Sequence, residues 1–314
     1  MAVYTSLSES EMSDICERFG LALASFEPIA AGGENSTYLI HARQGSFVLT
    51  MAEEKSFAQI SKVGRLLAYL NECGFSTTRL LRATSGAEVV EFRGKPVLIK
   101  EYIPGETVEG LTHDMLAQVG RAMALLHQIP VPSFASKRGH FGYRAYEVLK
   151  KGKAIPEDLS WATDRITRFE SLRPAGLPKG LIHADLFYDN LLWENGQLRA
   201  FIDFEEAESD DLIFDLAVGI IGMCADGERI AMDKVRALIS GYSQVRTLER
   251  AEEDLLQAVT EYAAVTVSCW RYWKHTIYAP SPERADSYLT MIRVAEGIQA
   301  MPEADWAAVL VVTR

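Results

Sequence analysis

The stretch His183-Ala-Asp185-Leu-Phe-Tyr-Asp-Asn190, followed by Phe201-Ile202-Asp203-Phe204, constrains this chain more than any other feature. Four residues separate the His-x-Asp from an Asn, and a second Asp comes thirteen positions after that Asn. Phosphoryl transfer needs such a set: one carboxylate to receive or orient a hydroxyl proton, and an amide oxygen with another carboxylate to hold Mg²⁺ on nucleotide phosphates. Leu191, Leu192 and Trp193, then Leu198, Ala200, Phe201 and Ile202, read as two short strands around a turn at Glu194-Asn195-Gly196-Gln197. Such a hairpin returns Asp203 toward Asn190. A single Asp in a loop is ordinary polar punctuation. The joint pattern predicts a kinase of a small hydroxylated molecule.

At 314 residues the chain makes two domains, or one large domain with a smaller lobe. A hydrophobic content of 48% and a charged content of 24% belong to a globular protein with a sizeable core. The net charge of −11 argues against a nucleic-acid partner, which normally meets a basic face. Cys16, Cys73, Cys224 and Cys269 form no Cys-x-x-Cys pair, which excludes the usual zinc spacing and a compact disulfide framework. The first residues show no basic segment followed by an apolar run, and the apolar stretch at 263–267 is too short to span a bilayer. The expectation is a cytoplasmic protein with reduced thiols and no membrane partner; oligomeric state is left open.

Helical spacing of Met12, Ile15 and Phe19 behind Ser8 predicts a first helix over 8–19. Strands are expected at 26–29, 37–41 and 47–50, a helix at 57–73 ended by Gly74, and two further strands at 88–92 and 96–102. Ile103-Pro104-Gly105-Glu106 breaks both regular structures and marks the best boundary. The expected division is therefore a nucleotide-binding lobe over 1–102, with a mainly antiparallel sheet, and a helical catalytic and acceptor lobe over 103–314. Within the latter, helices are expected near 116–129, 211–224, 232–243, 249–275 and 282–299. The segment 132–178 gives no clear pattern, and its Lys150-Lys151-Gly152-Lys153 patch reads as a solvated face.

Between the first two strands, Gly32-Gly33-Glu34-Asn35-Ser36 offers backbone that can approach phosphates closely, with Asn35 and Ser36 as donors. It is not a Walker loop, since no Gly-Lys-Ser/Thr follows. A kinase-like small lobe carries a phosphate-gripping lysine on its third strand, but Phe47-Val-Leu-Thr50 has threonine in that place. Lys55, Lys62 and Arg65 are candidate replacements, and nothing in the sequence chooses among them. The adenine edge is expected on the backbone of Glu101, Tyr102 and Ile103, where the last strand leaves the small lobe.

These residues resemble the aminoglycoside phosphotransferase-like kinases, and most closely the bacterial homoserine kinases of that fold. Ala30-Ala-Gly-Gly-Glu-Asn-Ser-Thr-Tyr38 is similar to that subfamily's Gly-x-Glu-Asn-Ser-Asn loop, and Phe47-Val-Leu-Thr50 to its lysine-free third strand. Leu181-Ile-His-Ala-Asp-Leu-Phe-Tyr-Asp-Asn190 is similar to its catalytic loop, and the likeness extends to Gly241-Tyr242-Ser-Gln-Val-Arg246 and Trp270-Arg-Tyr-Trp273. The resemblance implies an α+β, bilobal protein-kinase-like fold using ATP and Mg²⁺. It implies Asp185 as catalytic base, Asn190 and Asp203 as magnesium ligands, and His183 as a brace for the loop. The chain departs from the homoserine kinases at Glu205-Glu206-Ala207-Glu208, where they usually have Tyr-x-Ala-Cys, and at Gly222-Met223-Cys224, where they tend to have Asn-Asp-Trp-Cys. Both departures lie where the acceptor is expected. L-homoserine is the favoured alcohol, with choline, ethanolamine, hydroxylysine and aminoglycosides as rivals.

Other candidates read first as structure. His127 ends an apolar helix, and His113 and His140 have no metal-ligand partner at useful spacing. Trp270, Trp273 and Tyr262 have the spacing of core residues. Asp210, Asp211 and Asp215 sit where a helix dipole stabilises acids, although Asp211, with Glu205, is also a candidate for binding a substrate ammonium group. A non-catalytic nucleotide-binding module is the competing reading, favoured only by Thr50.

Overall fold

In the computed structural model, which describes residues 5–29, 35–137 and 142–310, the chain divides into two units. One comprises residues 1–105 with Arg199–Glu205, and the other residues 106–198 with Glu206–Arg314. The first begins with α1 (Glu9–Arg18), started by a reciprocal cap between Ser8 and Glu11. Then follow β1 (Leu23–Pro28), β2 (Asn35–Ala42), β3 (Gly45–Ala52), α2 (Phe57–Glu72), β4 (Leu80–Leu81), β5 (Val90–Phe92) and β6 (Lys95–Glu101). Ser56 and Gln59 cap α2 in the same way as α1.

The strands of its six-stranded sheet pair antiparallel, in the order β1-β2-β3-β6-β4 with β5 on β6. The period-two alternation of β2 turns Ser36, Tyr38 and Ile40 inward. Ile40, Leu49, Met51, Val97 and Ile99 are fully buried together with Met12 and Ile15 of α1. The distant segment Arg199–Glu205 joins this unit through Phe75, whose ring meets those of Phe201 at 5.7 Å and Phe204 at 6.1 Å. A backbone bond from Phe201 N to the Ser76 carbonyl reinforces the attachment.

The second unit contains α3 (His113–His127), α4 (Tyr143–Gly152), α5 (Ala162–Leu172), β7 (Lys179–Ile182) and β8 (Leu191–Glu194). The turn Asn195-Gly196, with φ +52° and +74°, has the left-handed backbone of a tight hairpin and leads into β9 (Gln197–Phe201). After β10 (Glu208–Asp211) come α6 (Leu212–Met223), α7 (Met232–Ser243), α8 (Arg250–Tyr272), α9 (Ser287–Ala300) and α10 (Glu303–Leu310). β10 pairs antiparallel with β7. Helix α6 is buried along almost its whole length, as its apolar sequence, interrupted by the single acid Asp215, requires. The segment 132–178 contains α4 and α5, and the exposed Lys150 and Lys151 lie in the last turn of α4. Among the described residues no helix is long and apolar enough to cross a membrane.

Helices α3 and α7 approach most closely at glycines. A Cβ on Gly241 would lie 1.9 Å from the Ala117 carbonyl oxygen, and one on Gly120 would lie 2.0 Å from that of Leu238. Backbone cannot rotate out of the way as a side chain does. Gly241→Ala is expected to force the helices apart, at or above the upper end of the about 1–3 kcal/mol typical of overpacking. Thermal melting of the variant reads this directly, and an unchanged Tm would show that the helices separate freely.

Candidate active site

The loop singled out in the sequence follows β7. Gly180 lets that strand press in, since a Cβ there would meet Leu212 at 2.6 Å and the His127 carbonyl at 3.3 Å. The chain then turns through Ala184 at φ +68°, a conformation that a non-glycine residue holds only when its surroundings dictate it. The surroundings here are the fully buried carboxylate of Asp215 on α6. It accepts from the backbone N–H of His183 at 3.0 Å and from that of Ala184 at 2.8 Å.

A buried network extends behind Asp215. His127 Nε2 lies 3.0 Å from Asp215 Oδ2, and its Nδ1 lies 2.8 Å from the Tyr242 hydroxyl. Arg246 donates to that hydroxyl at 3.1 Å and pairs with Glu252 at 2.8 Å. Burial acts to raise the Asp215 carboxyl, but the bond and charge of His127 and the contacts of His183 outweigh it and hold it below the usual carboxylate range. His183 is itself fully buried, and its Nδ1 faces the Asp185 N–H at 3.4 Å. Gly222 of α6 completes the support: a Cβ there would meet the Phe187 ring at 2.9 Å and the Leu186 carbonyl at 3.0 Å.

Asp185 is half-buried at the end of this loop. Asn190 donates its amide N–H to the Asp185 carbonyl at 2.7 Å, which turns Nδ2 inward and commits it. The Asn190 Oδ1 accepts no hydrogen bond among the described residues, so a ligand-ready oxygen is presented on the other side of the amide. Arg271, at the end of α8, bears on the same region. Burial lowers its pKa, while the carboxylates of Asp185 and Asp189 pull the other way. Its Nη1 donates to the Ser287 carbonyl at 3.2 Å, and it makes no ion pair within 4 Å among the described residues. The sequence assigns no role to this guanidinium, although it lies in the Trp270–Trp273 stretch of the resemblance; it stands on a helix more than eighty positions from Asp185.

The first unit carries Asp203 at φ +63°, a second strained non-glycine position. Asp203 is exposed as a residue, yet protein crowds its carboxyl. That loss of hydration, with the Glu205 charge, pushes the group up to about 6 against the pull of Lys55 and Lys100. A carboxylate repelled by its neighbour is suited to a divalent cation, which would relieve the repulsion. Among the described residues no three His, Cys, Asp or Glu side chains gather into a metal cage. A cation that arrives on nucleotide phosphates needs only one or two protein ligands.

Glu205 is the centre of the remaining polar cluster in this unit. Its Oε1 accepts from Asn35 Nδ2 at 2.8 Å, and its Oε2 lies 2.5 Å from Lys55 Nζ. Ser36 turns inward instead: it is 2% exposed, accepts from the Thr5 N–H at 2.8 Å and donates to Glu53, which also pairs with Lys95. Its hydroxyl is therefore directed to the lobe's interior, contrary to the expected phosphate contact. Gly32, Gly33 and His140 lie outside the described residues. Glu101 ends β6, and the Tyr102 N–H donates to the Ser46 carbonyl at 3.1 Å. Ile103 has no backbone hydrogen-bond partner among the described residues and keeps both groups available.

Asp211 also differs from its expected role. It is 1% exposed and pairs with Arg173 at 2.6 Å and with Lys179 at 3.0 Å, which fixes it as an internal anchor beside β7. Tyr262 is core, stacked on Phe169 at 4.1 Å, and Trp273 stacks on Tyr278 at 4.7 Å. His113 makes an exposed pair with Asp233 at 2.9 Å.

The model of the phosphotransferase enzyme family matches residues 25–248. The homoserine kinase of Xanthobacter autotrophicus is 33% identical over 275 residues, covering 84% of this chain and 85% of the relative. That of Caulobacter vibrioides is 31% identical over 276 residues, covering 84% and 87%. Among solved structures, an amicoumacin kinase in complex with AMP-PNP and Ca²⁺ superposes with a TM-score of 0.71 at 18% identity, over 92% of this chain and 93% of that one. A microcompartment-associated aminopropanol kinase gives 0.68 at 22% identity, over 96% and 99%. Likeness at such identities is of fold, and the fold shared is protein-kinase-like, with an antiparallel N-terminal sheet and a helical C-terminal part.

Proposed function

The chain belongs to the phosphotransferase enzyme family, and from that membership we propose that it transfers the γ-phosphoryl group of ATP to the hydroxyl of L-homoserine. The observation that carries the substrate is the likeness to homoserine kinases along 84% of the chain. In this reading Asp185 orients the acceptor hydroxyl and takes its proton as the oxygen bonds to phosphorus and the bond to the ADP oxygen breaks. Asn190 and Asp203 would hold Mg²⁺, which would neutralise phosphate charge. His183 keeps Asp185 in register, and the Glu101–Ile103 backbone receives the adenine edge.

An amino-acid acceptor carries a carboxylate as well as an ammonium group, and Arg271 supports that choice. Its guanidinium bears on Asp185 without an ion-pair partner of its own among the described residues. The acidic run after Asp203 supports a purely cationic alcohol less well than the sequence suggests. Glu205 is engaged by Lys55 and Asn35, Glu206 lies 3.4 Å from Arg144, and Glu208 is buried in β10. The aminopropanol kinase among the structural relatives keeps a cationic amino alcohol as the second reading.

A coupled assay of ADP release decides between them when L-homoserine, choline, ethanolamine, hydroxylysine and an aminoglycoside are compared. L-Homoserine is expected to give the highest kcat/KM. Arg271→Met should lower that value by about 10- to 100-fold, the range for a lost hydrogen-bonded charge contact, chiefly through KM, and leave ethanolamine turnover near its original level. A preference for choline or an aminoglycoside would refute homoserine and leave the phosphotransferase intact.

A further inference from the structure

The third strand of the small unit holds no cation. Thr50 pairs with Thr37 and Leu98 across the sheet and is 7% exposed, so it brings neither charge nor reach. Kinase-type phosphate grips rely on a lysine steadied by a glutamate, usually on the helix that follows the strand. Helix α2 has no acidic residue in its first turn, and its only acid is Glu72 at the far end. Both halves of that device are therefore missing from their usual elements.

The same device is assembled from other parts of this unit. Lys55 stands in the link between β3 and α2, five residues after Thr50. Its ammonium group lies 2.5 Å from Glu205, with the two side chains 18% and 13% exposed. The other oxygen of Glu205 takes the Asn35 amide, at the end of the glycine-rich segment, and Glu205 itself follows Asp203 by two positions. The remaining cations are less well placed. Lys95 is committed to Glu53 and Thr5, whereas Lys62 and Arg65 are on exposed positions of α2. Lys100 on β6 is the one serious competitor, since it too bears on Asp203 and Glu205.

We infer that Lys55, held by Glu205, is the cation that grips the β- and γ-phosphates of the nucleotide in place of a third-strand lysine. The inference rests on the kinase reading above and deepens it. A partly buried ion pair of this kind persists because each charge compensates the other, and a polyanionic phosphate beside it adds a second partner for the ammonium group. Glu205 thereby has a positioning role, presenting the lysine between the Asn35 end of the glycine segment and Asp203.

Isothermal titration of ATP, ADP and AMP in the presence of Mg²⁺ tests it on the parent protein and on Lys55→Met, Lys55→Arg and Lys100→Met. Lys55→Met should weaken ATP and ADP about tenfold or more, as expected for loss of a charge-assisted phosphate contact, and leave AMP within about twofold. Lys55→Arg should recover most of the lost affinity. Equal loss for AMP would mark Lys55 as a mere structural brace, and unchanged ADP affinity would remove it from the site. Phosphate-selective loss in Lys100→Met alone would transfer the role to Lys100. If Lys55→Met does not fold, Lys55→Gln, which still donates to Glu205 without charge, takes its place against Lys55→Arg. A parent protein that binds none of the three nucleotides would refute the kinase reading itself, which separates that failure from failure of the lysine assignment.

Discussion

Asp185→Asn is expected to cut turnover by about 10² or more, the range for a lost acid–base group, while ATP binds as before. The amide keeps the shape of the side chain and the Asn190 bond to the Asp185 carbonyl is untouched, so the loop should hold its conformation. Steady-state kinetics with a parallel ATP titration separates the two effects. Undiminished turnover would remove Asp185 from the chemistry, and a matching loss of ATP affinity would show that it serves binding instead.

Asp215→Ala should have the largest effect on stability. It leaves two buried backbone N–H groups and His127 Nε2 without their shared acceptor. Breaking a buried charged pair in this way costs about 3–5 kcal/mol, and the Ala184 backbone at φ +68° loses the contact that enforces it. Urea denaturation should show the loss, and the protein that remains folded should turn over more slowly. The native Asp215 carboxyl is held below its ordinary value. Its contribution is therefore full above about pH 4, the unfolded-state pKa, and is lost as pH falls through the lowered native value. A variant with parent stability and turnover would show that the loop keeps its shape without the anchor.

Much of this organisation is legible in the sequence where neighbours along the chain create it. Ser8 announces its helix because the capping partner stands three residues on. The strands at 37–41 and 47–50 show because one face alternates toward a core, and the Asn195-Gly196 hairpin shows because its turn demands left-handed backbone. β10 is invisible: Glu-Ser-Asp-Asp has no apolar alternation and becomes a strand only by pairing with β7. The work of Asp215 is equally hidden, since its partner His127 comes from α3, backed in turn by Tyr242 of α7, and nothing local to α6 indicates them. Asp215 reads instead as a helix-dipole acid. Glu205 reads as part of an acidic run for a substrate, although a lysine 150 positions earlier already occupies it. Arg271 escapes for the same reason as Asp215.

The tight crossing of α3 and α7 also has a meaning for how this sequence can drift. Gly120 and Gly241 face main-chain atoms, which exist in one size. An enlarged side chain in most cores can be accommodated by a later reduction opposite it, but a carbonyl oxygen has no reduced form. Neither glycine can therefore be rescued by a second substitution in its partner helix. The pair is a point of low evolvability, and random mutagenesis followed by selection for activity should recover almost no alleles at either codon. Invariance in such an experiment would look like a signature of chemistry and would report the approach of two backbones.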